Sequence, residues 1–350
     1  MSTIKKIHPR RILVIQTAFL GDLVLTLPLF HAIKRLWPQA RVAALVEDGA
    51  SGLLRGQGIV DKVITYSKRD NNSISKDMKR IVKDIRSLKC DLALIPHRSF
   101  RSGLIAYSAG IPLRVGFSKT PGMIFYTHRI YRNPKQHEFA RNLELLKFAS
   151  ADIACKPVSL VIPNSVKRKT ESYISTQIPA FKKFVVIAPG SVWATKRWPR
   201  QYWIDLLKMF SEDGIRTLII GGSGDYTLAQ DISKEAGDMV FSFAGKLSIL
   251  ESSEVINRAG MLISGDTAPV HLANTVQTPV LSIFGPTVPG YGFAPFNKDD
   301  MVIGMDMECR PCAIHGSRDC PLGHHKCMKD LQAKEVYEAA LKILNSPIES

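Results

Sequence analysis

The stretch ILVIQTAFLGDLVLTLPLFHAIKRL, residues 12–36, decides the fold class of this chain. Ile12–Gln16 is a mostly apolar run typical of a buried strand, a turn follows at Leu20–Asp22, and the pattern through Phe30–Leu36 is helical. Arg41–Val46 is the next apolar strand. A strand, a helix and a second strand at this spacing form a βαβ unit, so the sequence predicts an α/β fold with a parallel sheet.

The alternation of strand-like and helix-like patterns continues through the first half and then starts again in the second. In the first half we expect a basic amphipathic helix, two strands and a helical stretch at Ile74–Leu88, Asp91–Ile95, Arg114–Phe117 and Asn133–Phe148. The second half is predicted to contain four strands, at Phe184–Ala188, Thr217–Ile220, Met261–Ser264 and Val280–Phe284. Two helices are expected there, at Gln201–Ser211 and, closing the chain, at Lys334–Leu344.

The chain length predicts two domains, because 350 residues exceed the usual range of a single core. The polar, proline-containing stretch Lys156–Ile178 is the expected connection. We therefore predict two Rossmann-like domains, residues 1–165 and 180–350, whose strand ends face a central cleft where ligands bind. Whether the closing helix packs back on the first domain is left open.

The positive charge is concentrated in one half of the chain. Residues 1–180 contain 30 Lys and Arg against 12 Asp and Glu, whereas residues 181–350 contain 17 against 19. Such a field attracts nucleic acid, an anionic membrane leaflet or a phosphorylated substrate, although a protein that is simply basic would show the same composition. No apolar run approaches 18 residues and residues 1–11 lack a signal-peptide core, so we expect a cytosolic protein.

Gly21 and Asp22 follow the first strand directly. A carboxylate at a strand end can accept a proton from an attacking hydroxyl, which is the role of a general base. The alternative is that Asp22 caps the following helix, and the spacing alone favours the cap.

The loop Ser191–Pro199 combines hydroxyls, main-chain N–H groups and the adjacent cations Lys196 and Arg197, which makes a phosphate site plausible. The alternative is a solvated basic loop with Trp198 packed beneath it.

The turn after the strand Met261–Ser264 opens a helix, whose first N–H groups and dipole favour an anion. Asp266 and Thr267 would bond sugar hydroxyls or cap the helix, and His271 either reaches the same site or lies in the core. A further turn at Gly285–Thr287 is expected beside it. The glycine run at residues 221–224 is not a GxGxxG fingerprint, so an NAD enzyme is poorly supported.

These motifs, in this order and nearly end to end, resemble the bacterial lipopolysaccharide heptosyltransferases, the family 9 glycosyltransferases of the GT-B fold. The Lys-Arg-Trp-Pro loop is more similar to the second heptosyltransferase of that pathway than to the first. The resemblance rests on Leu20-Gly21-Asp22 with Leu27-Pro28, His97-Arg98-Ser99 with Arg101, Pro189-Gly190-Ser191 with Lys196-Arg197-Trp198-Pro199, Asp266-Thr267 with His271-Leu272-Ala273, and Phe284-Gly285-Pro286-Thr287.

The resemblance implies direct, inverting transfer of heptose from ADP-heptose to a hydroxyl of the lipopolysaccharide inner core, with no required metal or cofactor. It makes Asp22 the general base, and Lys196 the cation that neutralises the leaving diphosphate. The implied donor-binding residues are Gly190, Ser191, Arg197, Gly221, Gly222, Asp266, Thr267, Ala268, His271, Gly285 and Thr287.

The implied acceptor is an anionic lipid A precursor at the cytoplasmic face of the inner membrane, which would account for the basic first half. Arginine clusters suit phosphates and carboxylates. The basic helix Lys76–Arg86 would rest on anionic headgroups, and a solvated face is an equally good interpretation. Acceptor-binding candidates are Gly21, His97, Arg98 and Arg101, with His137, Arg114 and Lys119 as looser ones.

Two positions depart from the family pattern. Ala268 stands where glycine is usual, so donor binding would differ if the bound loop needs a positive φ there. Gly265 stands where a polar residue is common, which removes one possible hydrogen bond.

Four of the six cysteines form a group, Cys309, Cys312, Cys320 and Cys327, with three histidines interleaved. These are the ligand types of a structural zinc site, but only the first pair has the knuckle spacing, so reduced cysteines that support a loop are the default interpretation. Cys90 is expected in the core, and Cys155 is isolated.

Two other functions are compatible with the sequence. One is a related transferase that uses another nucleotide-sugar for a different surface glycan. The other is a polyanion-binding protein without enzymatic activity; the chain offers no recognisable nucleic-acid module, so nucleic acid is not expected as a partner.

Overall fold

The computed structural model describes residues 8–67, 74–149, 158–177 and 184–346. The chain divides into two compact units, Met1–Val158 and Ser159–Ser350. Each unit is built around its own parallel sheet of six strands.

The sheet of the first unit has the strand order β3-β2-β1-β4-β5-β6. Its strands are β1 (Arg11–Gln16), β2 (Arg41–Glu47), β3 (Lys62–Tyr66), β4 (Leu92–Ile95), β5 (Leu113–Phe117) and β6 (His128–Ile130). Its helices are α1 (Leu20–Val24), α2 (Leu27–Leu36), α3 (Ile74–Leu88), α4 (Phe100–Ser108) and α5 (Glu138–Glu144).

Strand β1 lies at the centre of this sheet. Ile12 is in register with Val42 of β2 on one side and Leu92 of β4 on the other. Because both edges of β1 are paired and helices cover both faces of a parallel sheet, its apolar residues are fully buried, which explains the uninterrupted apolar run in the sequence.

The second unit repeats this architecture with the strand order β12-β11-β10-β7-β8-β9. Its strands are β7 (Phe184–Ala188), β8 (Arg216–Ile219), β9 (Val240–Ser242), β10 (Met261–Gly265), β11 (Val280–Ile283) and β12 (Met301–Ile303). Its helices are α6 (Asn164–Gln177), α7 (Arg200–Glu212), α8 (Tyr226–Ala236), α9 (Ile249–Asn257), α10 (Ala268–Thr275), α11 (Lys326–Lys329) and α12 (Ala333–Leu344).

The core of the second unit is anchored by two tryptophans. Trp198 and Trp203 meet edge to face with ring centroids 4.9 Å apart, and the Trp198 indole N–H donates to the main-chain oxygen of Leu331 at 2.9 Å. The closing helix α12 packs against α7, and its Val336 and Ala340 belong to this core. The side chain of Trp198 is therefore buried beneath its loop. The packing of Trp198 agrees with this part of the alternative interpretation, in which the loop itself is solvated.

Counted from its own first strand, each sheet has the order 3-2-1-4-5-6, which is that of the Rossmann fold. The order reverses between β1 and β4 in the first unit, and between β7 and β10 in the second. In sheets of this kind ligands bind beyond the carboxyl ends of the strands at the point of reversal. The α/β class and the Rossmann-like character of both halves are thus confirmed.

The expected connection Lys156–Ile178 contains a helix. In α6, Lys169 and Glu171 form ion pairs with Glu251 and Arg258, and the helix packs against α9, so it is part of the second unit. Amphipathic character was weak in this polar stretch, which is why its helix was missed. Cys155 lies outside the described residues.

The predicted helix Asn133–Phe148 is shorter than expected. Regular helix begins at Glu138, ends at Glu144, and continues as a 3-10 turn through Leu145–Ala149. Within the described residues, no helix has both the length and the apolar character required to cross a membrane.

Candidate active site

An ion pair joins the loops that follow β7 and β10. Lys196 Nζ lies 2.5 Å from Asp266 Oδ2 and donates a second hydrogen bond to the main-chain oxygen of Asp266 at 3.1 Å. Both side chains are about nine-tenths buried. The predicted catalytic lysine and one predicted sugar-binding carboxylate are therefore in direct contact at the reversal point of the second sheet.

The loop that follows β11 contributes to the same cluster. The Thr287 hydroxyl donates to Asp266 Oδ2 at 2.8 Å, so one carboxylate oxygen binds groups from two loops. Arg310 in turn donates to the main-chain oxygens of Phe284 and Thr287 at 2.9 and 3.0 Å. The sequence reasoning missed Arg310, because nothing local connects it to a loop 23 residues away.

Helix α10 begins directly after Asp266, with Thr267 as its N-cap. The Thr267 hydroxyl contacts the Ser264 hydroxyl at 2.9 Å rather than capping the helix. Among the described residues, the non-glycine residues with positive φ are Lys89, Lys119, Gln277 and His325. Ala268 is not one of them, so it begins the helix without the backbone strain that a positive φ would impose on alanine.

His271 is buried one turn into α10, with its ring centroid 6.5 Å from that of Phe293. The structure thus places it in the interior of the unit, as one of its two interpretations expected. Gly265, the other departure from the family pattern, ends β10; a Cβ there would lie 3.1 Å from the main-chain oxygen of Lys196. Glycine lets the lysine loop approach the strand end closely.

Gly190, Gly221 and Gly222 surround a carboxylate that the sequence reasoning did not single out. Asp225 Oδ2 accepts a hydrogen bond from the Gly222 N–H at 2.9 Å. A Cβ on Gly190 would lie only 2.1 Å from Asp225 Oδ1, so glycine is required for the β7 loop to pass this carboxylate. The available signal was the position of Asp225 at the end of a glycine run that opens a helix.

The remaining donor-side predictions fall on the same edge of the sheet. Arg197 Nε donates to the main-chain oxygen of Ser191 at 2.9 Å, which closes the loop between them. Gly285 lies against the Met328 side chain, whose terminal methyl would be 2.7 Å from an added Cβ. Glycine at position 285 therefore lets its loop pack closely against Met328.

In the first unit, Gly21 and Asp22 lie inside a short helix and not in a turn. Helix α1 begins at Leu20, and Asp22 is its third residue. Its Oδ2 accepts a hydrogen bond from the Phe19 N–H at 3.2 Å. The alternative that Asp22 is the N-cap was therefore wrong, because Phe19 occupies that position, although the Asp22 carboxylate still binds a main-chain N–H at the helix start.

A buried polar network fixes the backbone that carries Asp22. The Thr26 hydroxyl donates to the main-chain oxygen of Asp22 at 2.7 Å and accepts from Gln16 Nε2 at 3.1 Å. Asn142 Nδ2 lies 3.3 Å from the same hydroxyl and donates to the Leu25 oxygen at 3.1 Å. The sequence reasoning missed these three side chains, since Asn142 comes from a helix more than a hundred residues away.

His97 and Arg98 follow β4, beside the end of β1. His97 Nδ1 lies 2.8 Å from the Thr17 hydroxyl, which joins the two loops across the reversal point of the first sheet. Burial lowers the pKa of Arg98, and so does the nearby Arg132, while Glu138 and Asp22 act in the opposite direction. The predicted base Asp22 and the predicted acceptor ligand Arg98 are thus electrostatic neighbours.

The other acceptor candidates are more dispersed. Arg101 donates to the Tyr66 hydroxyl, and its guanidinium carbon lies 5.4 Å from the centroid of that ring. His137 is the N-cap of α5, where its Nδ1 accepts from the Phe139 N–H at 3.4 Å. Arg114 donates to the main-chain oxygen of Phe125 at 2.6 Å, and Lys119 is exposed.

The cysteine-containing segment supports two of the donor-side loops. The Cys312 N–H donates to the Pro286 oxygen at 3.0 Å, and the Ser317 N–H donates to the Thr195 hydroxyl at 2.8 Å. Cys309, Cys312, Cys320 and Cys327 are free thiols. Within the described residues, no three His, Cys, Asp or Glu side chains form a group able to hold a metal ion, so the structure gives the zinc interpretation no support.

Two Rossmann-type sheets and polar clusters at both reversal points define an α/β protein of the kind that binds ligands at strand ends. Residues 78–322 match the family described as "Glycosyltransferase family 9 (heptosyltransferase)". The match covers well over half of the chain, and the chain belongs to this family of glycosyltransferase enzymes.

Related proteins match along nearly the whole chain. "Lipooligosaccharide heptosyltransferase 2" of Campylobacter jejuni is 26% identical over 333 residues, covering 94% of this chain and 96% of the relative. A family 9 glycosyltransferase from Veillonella parvula has a similar structure, with a TM-score of 0.84, 19% identity and coverage of 97% and 98%. The E. coli "ADP-heptose lps heptosyltransferase II" gives a TM-score of 0.79 at 19% identity, covering 95% of this chain and 98% of that one.

We predict that Thr26→Val lowers the free energy of unfolding by about 1–3 kcal/mol, because buried donors on Gln16 and Asn142 lose their shared acceptor. Urea denaturation measures the change. Thr26→Ser is the matched control, since it keeps the hydroxyl and removes one methyl group, and it should cost about 1 kcal/mol or less. Equal losses for the two variants would show that the network contributes nothing.

We predict that Cys320 is alkylated faster than Cys90 and Cys327. Burial raises the pKa of both the Cys90 and Cys327 thiols to about 11. At Cys320 burial also raises the pKa, but hydrogen bonds from main-chain N–H groups outweigh this effect and lower the pKa of the thiol. These N–H groups belong to His325, Leu322, Gly323 and His324. A lower pKa means more thiolate, the reactive form, at about pH 7.

Mass spectrometry of iodoacetamide-treated native protein over a pH series measures this order. Labelling of Cys320 should accelerate at lower pH than labelling of the two buried thiols. Simultaneous labelling of all three at neutral pH, in protein that remains folded, contradicts the prediction.

Proposed function

We propose that this glycosyltransferase transfers heptose from ADP-heptose to a hydroxyl of the lipopolysaccharide inner core, with inversion at the anomeric carbon. The names of the relatives support the substrate class, since heptosyltransferases of two bacterial species match 94–95% of the chain. The E. coli relative carries ADP-heptose in its description.

The observation that carries the proposal is the buried cluster of Lys196, Asp266 and Thr287. It lies at the reversal point of the second sheet, directly before the N-terminus of α10. An ammonium group beside a helix N-terminus favours a diphosphate. Carboxylate and hydroxyl oxygens beside it suit sugar hydroxyls, so the cluster has the chemistry that a nucleotide-sugar requires.

Asp225 gives the donor site a second carboxylate. Its side chain lies between the loops that follow β7 and β8. A Cβ on Gly190 or on Gly221 would clash with that side chain. We include Asp225, with Gly222, Ser191 and Arg197, in the proposed donor site. Gly285 contributes by letting its loop pack on Met328.

Asp22 is the proposed general base. The acceptor oxygen attacks the anomeric carbon as its proton passes to the Asp22 carboxylate, and the bond between that carbon and the diphosphate oxygen breaks. The electron pair leaves with ADP, whose added negative charge Lys196 offsets. One displacement inverts the anomeric centre and needs no covalent enzyme intermediate.

The proposed acceptor is an anionic lipid A-core precursor at the cytoplasmic face of the inner membrane. Arg98, with its guanidinium partly neutralised by Asp22 and Glu138, is the proposed contact for acceptor phosphate or carboxylate groups. His97 and Arg101 complete the proposed acceptor side. We propose no metal or cofactor.

The decisive experiment supplies ADP-heptose with a truncated inner-core acceptor and measures product mass and ADP release. We predict that Asp22→Asn lowers kcat by about 10²–10⁴-fold while the Kd for ADP is unchanged, because only proton transfer is lost. Asp84→Asn, on the exposed face of α3, is the control and should behave as the wild type.

Normal turnover of Asp22→Asn would overturn the base assignment. Stabilisation by a different nucleotide-sugar in a thermal-shift panel, without stabilisation by ADP-heptose, would instead support the related transferase.

We predict that Lys196→Met lowers kcat/KM by about 10²–10³-fold, since charge stabilisation at the leaving group is lost. Steady-state kinetics with varied ADP-heptose measure it. Lys208→Met removes an exposed positive charge from α7 and is the control for net charge. If both variants show the same small decrease, Lys196 has no role at the diphosphate.

A further inference from the structure

An exposed apolar patch lies on the first unit, where α4 packs against the 3-10 turn Pro121–Phe125. Its members are Phe100, Tyr107, Met123 and Ile124, whose exposed fractions are 48%, 56%, 36% and 64%. We call these four residues the α4 patch. A neighbouring run of exposed large apolar side chains needs an explanation, whereas scattered ones do not.

The backbone beneath the patch is closely packed. A Cβ on Gly103 of α4 would lie 2.8 Å from the Gly122 oxygen, and one on Gly122 would lie 2.7 Å from the Ser99 oxygen. The Phe125 ring fills the space between, with centroids 5.1 Å from Phe100 and 5.6 Å from Tyr107. Met123 and Ile124 are therefore exposed on a turn that packs closely against α4.

The segment of chain that contains the patch carries cations and no carboxylates. Residues 92–137 contain seven Lys and Arg and no Asp or Glu. Arg114 and Arg129 donate to the main-chain oxygens of Phe125 and Met123, so two guanidinium groups are fixed at the turn itself. Lys119, just before the turn, is exposed. Exposed apolar side chains beside fixed cations are complementary to a bilayer with anionic headgroups.

The basic helix α3 is a weaker candidate for the same partner. Arg80 lies near two carboxylates of its own helix, 3.6 Å from Asp77 and 3.4 Å from Asp84. The apolar residues Ile81 and Ile85 are buried in the core. The described side chains of α3 thus offer partly neutralised charge and no comparable apolar contact.

We propose that the α4 patch is a membrane-docking surface, with Met123 and Ile124 inserting among the acyl chains of an anionic bilayer and the surrounding cations contacting its headgroups. The inference rests on the proposed function in one respect, that the acceptor is a membrane lipid. Phe100 directly follows His97-Arg98-Ser99, so docking through the patch brings the proposed acceptor residues to the lipid surface.

Vesicle co-sedimentation of the full chain tests the proposal. Wild-type protein should bind vesicles of phosphatidylglycerol and phosphatidylcholine, and binding to pure phosphatidylcholine should be much weaker. Ile124→Asp should weaken binding to the anionic vesicles by about tenfold or more, because burial of one large aliphatic side chain contributes that much. Leu322→Asp, at an equally exposed leucine of the second unit, should bind as the wild type.

Three outcomes would overturn the proposal. One is absence of wild-type binding, and another is equal binding by wild type and Ile124→Asp, which would place the contact elsewhere. The third is a wild-type dimer that Ile124→Asp converts to a monomer with vesicle binding retained, which would make the patch an interface between copies of the chain. Circular dichroism confirms that each variant is folded.

Activity on a soluble, deacylated acceptor separates this inference from the proposed function. Ile124→Asp should retain wild-type turnover on that acceptor and lose turnover on vesicle-embedded acceptor. If wild type is inactive on both acceptors while its vesicle binding depends on Ile124, the proposed function fails and the docking surface stands.

Discussion

The contact between Lys196 and Asp266 is the interaction on which the second unit's site depends. It joins the loops of two adjacent strands at the point where the sheet order reverses. Burying two charges costs free energy unless their geometry and other hydrogen bonds compensate. Here Asp266 also accepts from Thr287, and Lys196 also donates to a main-chain oxygen, so removal of either charge leaves the other buried with only a neutral hydrogen-bond partner.

The first unit joins its corresponding loops through hydrogen bonds between polar side chains. Thr17 and His97 join the loops across its reversal point, and the Gln16–Thr26–Asn142 network holds the helix that carries Asp22. Neutral groups can be buried at lower cost than charges when every donor finds an acceptor. Asp22 itself is half-buried, which suits a carboxylate proposed to exchange a proton with a substrate.

The central strands were predictable and the edge strands were not. Strands such as β1 and β7 are buried on both faces and read as continuous apolar runs. The strands that the sequence reasoning missed are β3, β6, β9 and β12, which are the four sheet edges. An edge strand pairs on one side only and needs few buried residues; β6 and β12 contain none.

The residues of the candidate site likewise differ in how predictable they were from the sequence. Positions that follow a strand, such as Asp22 and Asp266, were predictable because strand ends of a parallel sheet meet at one edge. Asn142 and Arg310 were not, because their contacts join segments far apart in the chain. Asp225 had a local signal, the glycine run before it, that the sequence interpretation did not use. The family resemblance identified the residues with a proposed chemical role. The residues whose hydrogen bonds hold the site loops in place were identified only from the structure.

The cysteine-containing segment shows how such support works without regular structure. Its hydrogen bonds reach the loop after β7 through Ser317 and His325, and the loop after β11 through Arg310 and Cys312. Thr195 is adjacent to Lys196 and Thr287 donates to Asp266, so the segment contacts both loops that meet in the Lys196 cluster. The segment therefore supports the donor-side loops through its own hydrogen bonds.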